Sequence, residues 1–348
     1  MNRIDWVIVR RLLGSVGLTL AVMYGISALF ESLNTSRFTA LSATGGPGLA
    51  LLAIIARASR WVLDALPLLV LIGSIIGLLQ LQATREMTVI KATGFSVWRA
   101  MRAPVAMAVL LGIFVALGAD VGTVTANRTL SPGGQQSGTL WFEERKAETH
   151  YIVEAQYVHP GGDTLGTVSI FLLEAPRDRI SAETANLVGD EWVLPVATRY
   201  RSNTSPEPIT DFHSNTSLSR GDVRATLASV GNLTIYELAG AIASQLTNPT
   251  ERAPTLTRFI KLLTLPLTLA GSVVIAFAFT AGYRRTNKYG GAVLYGIVLG
   301  FVLYVVAEMA NRAGSAGAMQ PAVAVIGPAV LAIVAGVTVL LNREDGRT

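Results

Sequence analysis

Two long segments without a single charged residue constrain this chain more than any other feature. Residues 12–30 (LLGSVGLTLAVMYGISALF) give 19 uncharged positions, and residues 321–341 (PAVAVIGPAVLAIVAGVTVLL) give 21. About 20 such residues in a helix cross the roughly 30 Å hydrocarbon core of a bilayer. Only 15% of the chain is charged, whereas an average soluble domain has about 25% charged residues. The chain is therefore predicted to be an integral membrane protein.

Six membrane spans are predicted from the apolar runs. They are 12–31, 62–80, 100–119, 258–280, 290–309 and 321–341. The few charged residues within these runs lie near their ends, where a charged side chain can reach the interface. One of them, Glu308, stands four residues before Arg312 at a helix end, and the two are predicted to form a local ion pair.

Lysine and arginine are distributed unequally between the two sides of these spans. One side receives twelve: Arg3, Arg10, Arg11, Arg85, Lys91, Arg99, Arg102, Arg284, Arg285, Lys288, Arg343 and Arg347. The short loops of the other side receive four: Arg37, Arg57, Arg60 and Arg312. Cytoplasmic loops carry the positive excess. Both termini and the loop at 81–99 are thus predicted to be cytoplasmic, with residues 120–257 outside.

The outer block favours β structure. Five short stretches rich in β-branched and aromatic residues are separated by turn residues: TLWFEE, HYIVEAQYV, TVSIFLLEA, EWVLPVATRY and DFHSNTSL. This spacing favours a sandwich or a jelly roll. Thr234 precedes Glu237 by three residues, and this capping-box pattern predicts a helix after the strands.

The predicted fold class is a membrane α-helical protein with six transmembrane helices and an inserted periplasmic all-β, jelly-roll-like domain. Residues 1–119 hold spans one to three with a cytoplasmic helix at about 84–93, 120–233 the β domain, 234–257 a connecting helix and linker, and 258–348 spans four to six.

The sequence offers no catalytic motif. It has no cysteine, no Walker A pattern, no G-x-S-x-G elbow and no H-E-x-x-H pair. His150, His159 and His213 all fall in the β block, and no two histidines are four residues apart, so we interpret them as ordinary strand or surface residues. The spans also lack paired carboxylates at mid-depth, which argues against a proton pump.

The charged loop between the second and third spans reads ATREMTVIKATGFSVWRAMRAP. On a helix beginning near Thr84, Met87 and Ile90 share one face and Glu86 projects elsewhere. Gly94 is suited to a left-handed C-terminal cap, and Ser96 can N-cap the next span. The loop is therefore predicted to be a short helix with sharp turns at both ends.

Two interpretations of this loop remain open: a surface connector, or a docking element for a soluble partner. Correspondingly, three functions are considered. The first is a transporter subunit, the second a membrane-anchored sensor or scaffold with a ligand-binding β domain, and the third a membrane-embedded lipid transferase. The transferase needs a polar catalytic cluster, and none stands out. The sensor needs no docking helix, whereas a transporter driven by a separate ATPase does.

The run REMTVIKATGFSVWRAMRAP resembles the signature loop of the LptF/LptG family, the lipopolysaccharide-export permeases of an ABC transporter. The resemblance covers nearly the whole chain, including the span count, the β block, GAVLYGIVLGFVLYVVAE in span five and the final LLNRE. The TLWFEE…HYIVEA segment and the GFS loop resemble LptG more than LptF.

The resemblance implies an inner-membrane LptF–LptG pair bound to a dimer of the LptB ATPase. ATP and Mg would be used by that ATPase, with no cofactor and no catalytic residue in this chain. The pair would extract lipopolysaccharide from the outer leaflet of the inner membrane and pass it to LptC and the periplasmic LptA bridge.

The resemblance also implies roles for residues of the loop. The loop helix would lie in a groove of LptB, where Glu86 would meet a basic residue. Met87, Ile90 and Phe95 would pack against LptB, and Gly94 would end the helix.

For the lipid, the resemblance implies a cavity lined by the first and fifth spans. The predicted lipopolysaccharide contacts are Tyr24, Phe30, Arg37, Arg57, Arg60, Phe301 and Tyr304. Family members often carry lysines just after the first span, but this chain has FESLNTSRF there, in which only Arg37 is basic. Either Arg37 takes over the phosphate contact, with Arg57 or Arg60, or the lipid carries less phosphate or different acids.

Overall fold

The structure is a computed structural model. It describes residues 3–33, 35–94, 96–130, 140–146, 149–158, 163–173, 178–201, 204–216, 233–243, 249–280 and 290–344. The chain divides into two compact units: one comprises residues 1–127 with 253–348, and the other comprises residues 128–252. The first unit is helical and the second contains a β-sheet.

The helices of the described residues are α1 (Arg3–Ser32), α2 (Thr35–Asp64), α3 (Leu66–Ala83), α4 (Glu86–Ala92), α5 (Val97–Phe114), α6 (Asp120–Leu130), α7 (Ile235–Ala243), α8 (Pro249–Thr280), α9 (Gly290–Ser315) and α10 (Pro321–Glu344). A π-helical turn, Val115–Ala119, joins α5 to α6. The strands are β1 (Leu140–Lys146), β2 (Thr149–Val158), β3 (Thr164–Leu172), β4 (Arg179–Val188), β5 (Glu191–Tyr200) and β6 (Glu207–Asn215).

Seven helical segments of the described chain are long and apolar enough to cross a membrane. Six of them overlap the six predicted spans, which confirms the membrane-helical fold class. The seventh is Gly46–Asp64, the part of α2 that follows a break in helical geometry at Gly46. Whether it crosses depends on where its two ends lie.

The packing of α1 against α3 answers this question. Ser15 of α1 donates a hydrogen bond to Gln80 of α3 at 3.3 Å. Val16 of α1 packs against Gly73 of α3 and Leu12 packs against Gly77, so residue numbers rise along α1 as they fall along α3. The two helices are therefore antiparallel, and α1 ends on the side where α3 begins. Because α2 connects those two ends, it starts and finishes on the same side of the bundle. The described helices accordingly account for six crossings, and α2 makes no separate one.

Glycines allow close helix contacts in this bundle. A Cβ added at Gly73 of α3 would lie 2.6 Å from the Cα of Val16 in α1. At Gly112 of α5 it would lie 2.5 Å from the Cα of Pro266 in α8. Real Cβ atoms do not approach a backbone this closely, so both crossings require glycine. The α3–α1 and α8–α5 contacts fix the centre of the helical unit.

The first eleven residues of the predicted β domain are helical. Residues 120–130 form α6, which continues from α5 through the π-helical turn. The carboxylate of Asp120 is buried and accepts hydrogen bonds from Arg258 of α8 at 3.3 and 3.4 Å. A paired carboxylate can be buried, and it holds the start of α6 against α8.

The six strands form one antiparallel sheet in the order β1-β2-β3-β4-β5-β6. Five of them cover the predicted stretches, and β4 (RISAETANLV) is an additional strand that the sequence pattern did not indicate. Within the described residues each strand pairs with its neighbour in sequence, as in a meander. A jelly roll requires pairing between strands distant in sequence, so the jelly-roll part of the prediction is not confirmed.

The sheet curls on itself. The hydroxyl of Tyr151 in β2 donates to the backbone carbonyl of Asn215, at the end of β6, at 2.6 Å. In a flat sheet these strands, four steps apart, would be separated by about 19 Å. The inner face carries the buried core residues Tyr151, Val153, Ala155, Leu165, Val168, Ile170, Ile180, Ala185, Leu187, Trp192, Leu194 and Ala197.

The predicted capping box is present at the start of α7. The backbone N–H of Thr234 donates to the Glu237 carboxylate at 2.8 Å, and the N–H of Glu237 donates back to the Thr234 hydroxyl at 3.3 Å. Arg128 adds a bidentate pair of hydrogen bonds at 2.8 and 2.7 Å. The Arg128 hydrogen bonds, together with those from Thr234, lower the pKa of Glu237 to about 2.

A cluster of ion pairs lies at the end of the β3–β4 connection. The side chain of Asp178 is buried and accepts hydrogen bonds from Arg201 at 3.2 and 3.3 Å. Arg199 lies 3.7 Å away on the same carboxylate. The hydrogen bond to Asp178 raises the pKa of Arg201, so this end of the sheet is held by charge in addition to its core.

Candidate functional site

The candidate site is α4, the seven-residue helix between α3 and α5. Arg85, directly before it, has φ = 58°, and Gly94, two residues after its end, has φ = 78°. Both residues are thus in the left-handed region, which produces the two sharp turns predicted from the sequence. Ser96 N-caps α5 by accepting a hydrogen bond from the backbone of Arg99 at 3.3 Å. The helix is therefore sharply delimited at both ends.

One face of α4 packs into the helical bundle. Met87 is only 4% exposed, and Ile90 is also buried. Both belong to the core cluster that includes Ile8 and Leu12 of α1 and Val97 of α5. Met87 and Ile90, which the family resemblance implied would pack against LptB, are buried against helices of this chain and attach α4 to its own bundle.

The opposite face of α4 is exposed. Val89 is 64% exposed, and Thr88 and Ala92 are also at the surface. Val89 is an apolar side chain on a short loop helix that the sequence analysis did not single out. Met87 and Ile90, three residues apart, share the inward face of the helix, so Val89 between them points outward. This helical periodicity was the sequence signal that could have indicated the exposure of Val89. Phe95 lies outside the described residues.

Glu86 makes an ion pair within the chain. Arg11 of α1 donates a hydrogen bond from Nη2 to Oε1 of Glu86 at 3.2 Å, and both side chains are partly exposed. The pair joins the first residue of α4 directly to α1. Two oxygens and several lone pairs of the carboxylate leave room for a further cationic donor.

The predicted lipid contacts on α1 and α2 are partly engaged with other groups of the chain. The Tyr24 hydroxyl donates to the carbonyl of Ile55 at 3.1 Å, and Arg57 pairs with Glu31 at 3.2 Å. Arg60 lies 3.8 Å from Asp64. Phe30 is exposed, and the side chain of Arg37 lies outside the described residues.

The predicted contacts on α9 occupy two different faces. Phe301 is exposed on the outer surface. Tyr304 instead lines a cleft formed by α3, α8, α9 and α10. At the mouth of this cleft the predicted Glu308–Arg312 pair is confirmed, with 3.2 Å between Oε1 and Nε. Asp64 and Tyr304 both line this cleft, and Arg60 lies 3.8 Å from Asp64, so Arg60 and Tyr304 are near the same cleft. Phe301 does not line it.

Two of the three histidines have carboxylate neighbours on adjacent strands. His150 lies 2.5 Å from Glu143 and His213 lies 3.0 Å from Glu191. His159 lies outside the described residues. These are local cross-strand pairs on the sheet, in line with the interpretation of these histidines as ordinary strand residues.

These features define a class: a polytopic helical membrane protein with an inserted antiparallel sheet and a sharply bounded helix in the loop between its second and third spans. Residues 6–342 match the lipopolysaccharide export system permease LptF/LptG family. The chain belongs to this family, because the match covers nearly its whole length. Comparison with curated proteins returned no match. Members of this family are permease components of an ABC transporter and are themselves non-catalytic. The family membership and the apolar helices together identify the chain as a multi-pass protein of the inner membrane.

Proposed function

We propose that this chain is the LptG-type permease of a lipopolysaccharide exporter. With an LptF-type partner it extracts lipopolysaccharide from the outer leaflet of the inner membrane and passes it through LptC to the periplasmic LptA bridge. An LptB-type ATPase dimer, using ATP and Mg, supplies the energy from the cytoplasm. In this arrangement both termini and α4 are cytoplasmic, and the β domain is periplasmic.

The observation that carries the proposal is the two-faced geometry of α4. A helix that transmits force needs one face anchored to the structure it moves and one face free for the partner. Met87 and Ile90 provide the anchored face, and Val89 with Glu86 provides the other. Helix-in-groove recognition rests on a few such side chains. A flexible connector would show neither the buried anchors nor the left-handed residues at both ends.

Besides its anchored face, α4 contacts α1 through Glu86, so a displacement of α4 would be transmitted to α1. The α1 helix has 30 residues and is therefore about 45 Å long. Its beginning contacts α4 through the Arg11–Glu86 pair, and its middle contacts α3 at Gly73. A displacement of α4 is thus transferred to a rigid helix whose far end carries Tyr24 and Phe30. We propose that this far end borders the lipid path.

Two of the arginines proposed to bind lipid phosphates already have carboxylate partners within the chain. Glu31 and Asp64 already offset Arg57 and Arg60. A lipid phosphate at either arginine would share that arginine with a carboxylate, and the negative charge of the carboxylate would weaken the attraction between the arginine and the phosphate. Arg37 therefore remains the main proposed contact beyond the end of α1, with Arg57 and Arg60 as secondary ones.

Charge reversal at Glu86 tests the proposal. We expect Glu86→Lys to lose the ATPase on co-purification, because the acid would become a repelling cation at the docking surface. Asp5→Lys is the matched control, since Asp5 lies in the first turn of α1, at the same end of the bundle, and the charge change is identical. Both variants are purified with their co-expressed neighbours, and ATPase activity is measured.

Retention of the ATPase and of lipopolysaccharide export in Glu86→Lys contradicts the proposed role of α4. If the wild-type chain also purifies without any ATPase, the membrane-anchored sensor or scaffold becomes the better interpretation. Loss in both Glu86→Lys and Asp5→Lys indicates a general charge effect and likewise contradicts a specific role for Glu86.

A further inference from the structure

A cleft within the helical unit has no role in the proposed coupling mechanism. It lies between α3, α8, α9 and α10 and is partly open to the outside. Small residues on the facing helices, among them Gly300, Ala307, Ala329 and Ala332, make room for it. The cleft is contained in one chain and is therefore present before any partner binds.

The wall of the cleft is apolar even where its residues carry hydroxyl groups. Thr264 donates to the carbonyl of Ile260 at 2.7 Å, and Thr268 donates to that of Thr264 at 3.1 Å. Ser272 donates to the carbonyl of Pro67 at 2.9 Å. These hydroxyls are satisfied by the backbone, so they present mainly carbon and hydrogen to the cleft. Such a wall favours a hydrocarbon ligand over a polar one.

The cleft is long enough to extend across one leaflet of a bilayer. Its lining on α8 extends from Lys261 at the mouth to Ile275 at the inner end. Fourteen helical steps correspond to about 21 Å, compared with about 15 Å for half of the hydrocarbon core. A single acyl chain held with its head group at Lys261 can therefore be accommodated along the cleft.

The mouth of the cleft is charged, with an excess of cations. Lys261 Nζ lies 3.8 Å from both Asp64 and Glu308, and Arg60 and Arg312 flank these acids at 3.8 and 3.2 Å. Three cations thus face two carboxylates. The Lys261 ammonium is 3.8 Å from each carboxylate, beyond hydrogen-bonding distance, so its three N–H donors remain suitable for an anionic oxygen.

We propose that this cleft binds one acyl chain of a phosphate-bearing lipid, with the phosphate at Lys261. The acyl chain lies against Thr268 and Ala307, and the head group lies at the cationic mouth. The site belongs to the single chain and does not depend on the proposed coupling to an ATPase. The shared chemistry is an acyl chain below a phosphate, which a bilayer phospholipid or the exported lipopolysaccharide can supply.

A photoreactive lipid tests this site directly. The full-length chain is reconstituted into phosphatidylcholine vesicles that contain phosphatidylglycerol with a diazirine in one acyl chain. After illumination, adducts are mapped by mass spectrometry. We expect adducts on Thr268 in the cleft as well as on Leu263, which is 63% exposed on another face of α8. The Leu263 adduct reports the surrounding bilayer and the integrity of the helix.

Two matched substitutions on α9 separate the cleft from the bilayer. Ala307→Leu fills the cleft and is expected to lower the Thr268 adduct at least fivefold, leaving the Leu263 adduct unchanged. Ala310→Leu, the same change at a position that does not line the cleft, is expected to leave both adducts unchanged. Lys261→Gln is expected to lower the Thr268 adduct at least twofold, because the phosphate loses its cation.

Adding lipopolysaccharide identifies the source of the acyl chain. If it removes the Thr268 adduct, the site takes the exported lipid, and if the adduct persists, the site holds a bilayer phospholipid. The proposal is overturned if the wild-type chain shows no Thr268 adduct beside a strong Leu263 adduct. It is also overturned if Ala307→Leu leaves the Thr268 adduct unchanged. Loss of ATPase coupling affects neither readout.

Discussion

The local geometry around Glu86 was predictable from the sequence, whereas its ion-pair partner was not. The spacing around it predicted a helix, a left-handed Gly94 and an N-cap at Ser96, and the structure confirms all three. The Arg11–Glu86 pair spans 75 positions of sequence, and no local pattern indicates such a contact. The acid that we propose for partner docking is thus also a structural link to α1.

Glu237 provides a pH-dependent prediction at the residue scale. Its folded pKa of about 2 lies below the unfolded value of about 4.3. The stabilisation by the carboxylate is therefore fully present above that unfolded value and is lost as the pH falls through 2. Because the side chain is 43% exposed, screening limits the contribution to about 0.2–1 kcal/mol.

Glu237→Gln is accordingly expected to increase hydrogen exchange in α7 at pH 7, with the difference from the wild type shrinking as the pH falls from about 4 toward 2. Glu183→Gln, at an exposed position of β4, is the control and should leave exchange in α7 unchanged. A difference at Glu237 that stays constant over this pH range would contradict the charge-based explanation.

At the scale of elements, the spans were predictable and their packing was not. The apolar runs give the six crossings, because hydrocarbon thickness sets their length. Nothing in the run of α2 indicates that it returns to its starting side, which follows only from the antiparallel contact of α1 with α3. Likewise, an i, i+3 pair such as Met87 and Ile90 predicts a buried face without indicating which molecule buries it.

The strand β4 was missed for a compositional reason. Its sequence RISAETANLV mixes alanine, glutamate and asparagine, which are depleted in strands, with few β-branched residues. In the sheet it pairs with β3 and β5 on both sides, so tertiary context outweighs local preference. The order of the strands in the sheet could not be predicted from the sequence either. Alternation of apolar and polar residues shows which side chains share a face of a strand, but it does not show which strands are neighbours.

Gly112 provides a prediction for helix packing. A side chain at this position meets the backbone of α8, so Gly112→Ala is expected to push α5 and α8 apart. The expected cost is about 1–3 kcal/mol for overpacking, measured as a lower thermal unfolding temperature of the purified chain in detergent.

Gly122→Ala is the matched control, since a Cβ there meets nothing within 4 Å in α6. This substitution is expected to be neutral or stabilising by about 0.5–1 kcal/mol, because alanine favours a helix more than glycine does. Equal losses in the two variants would contradict the close contact between α5 and α8.

At the scale of the whole molecule, the proposed coupling to an ATPase requires α4 to lie on the cytoplasmic side of the membrane. The chain contains no cysteine, so single-cysteine variants report the position of one residue each. On spheroplasts, a membrane-impermeant maleimide is expected to label Thr210→Cys in β6 without lysis and Thr88→Cys in α4 only after lysis. The opposite pattern would place α4 away from any cytoplasmic ATPase.

The most direct test of the central claim is a photocrosslinker at position 89, on the exposed face of α4. With p-benzoylphenylalanine in place of Val89, illumination of cells is expected to give one dominant adduct with a nucleotide-hydrolysing protein. The same crosslinker in place of Leu18, exposed at mid-span in α1, should give no such adduct. An adduct with the ATPase at position 89 alone is the result that the account predicts. No ATPase adduct at position 89, in cells where the exporter is assembled and active, would contradict it.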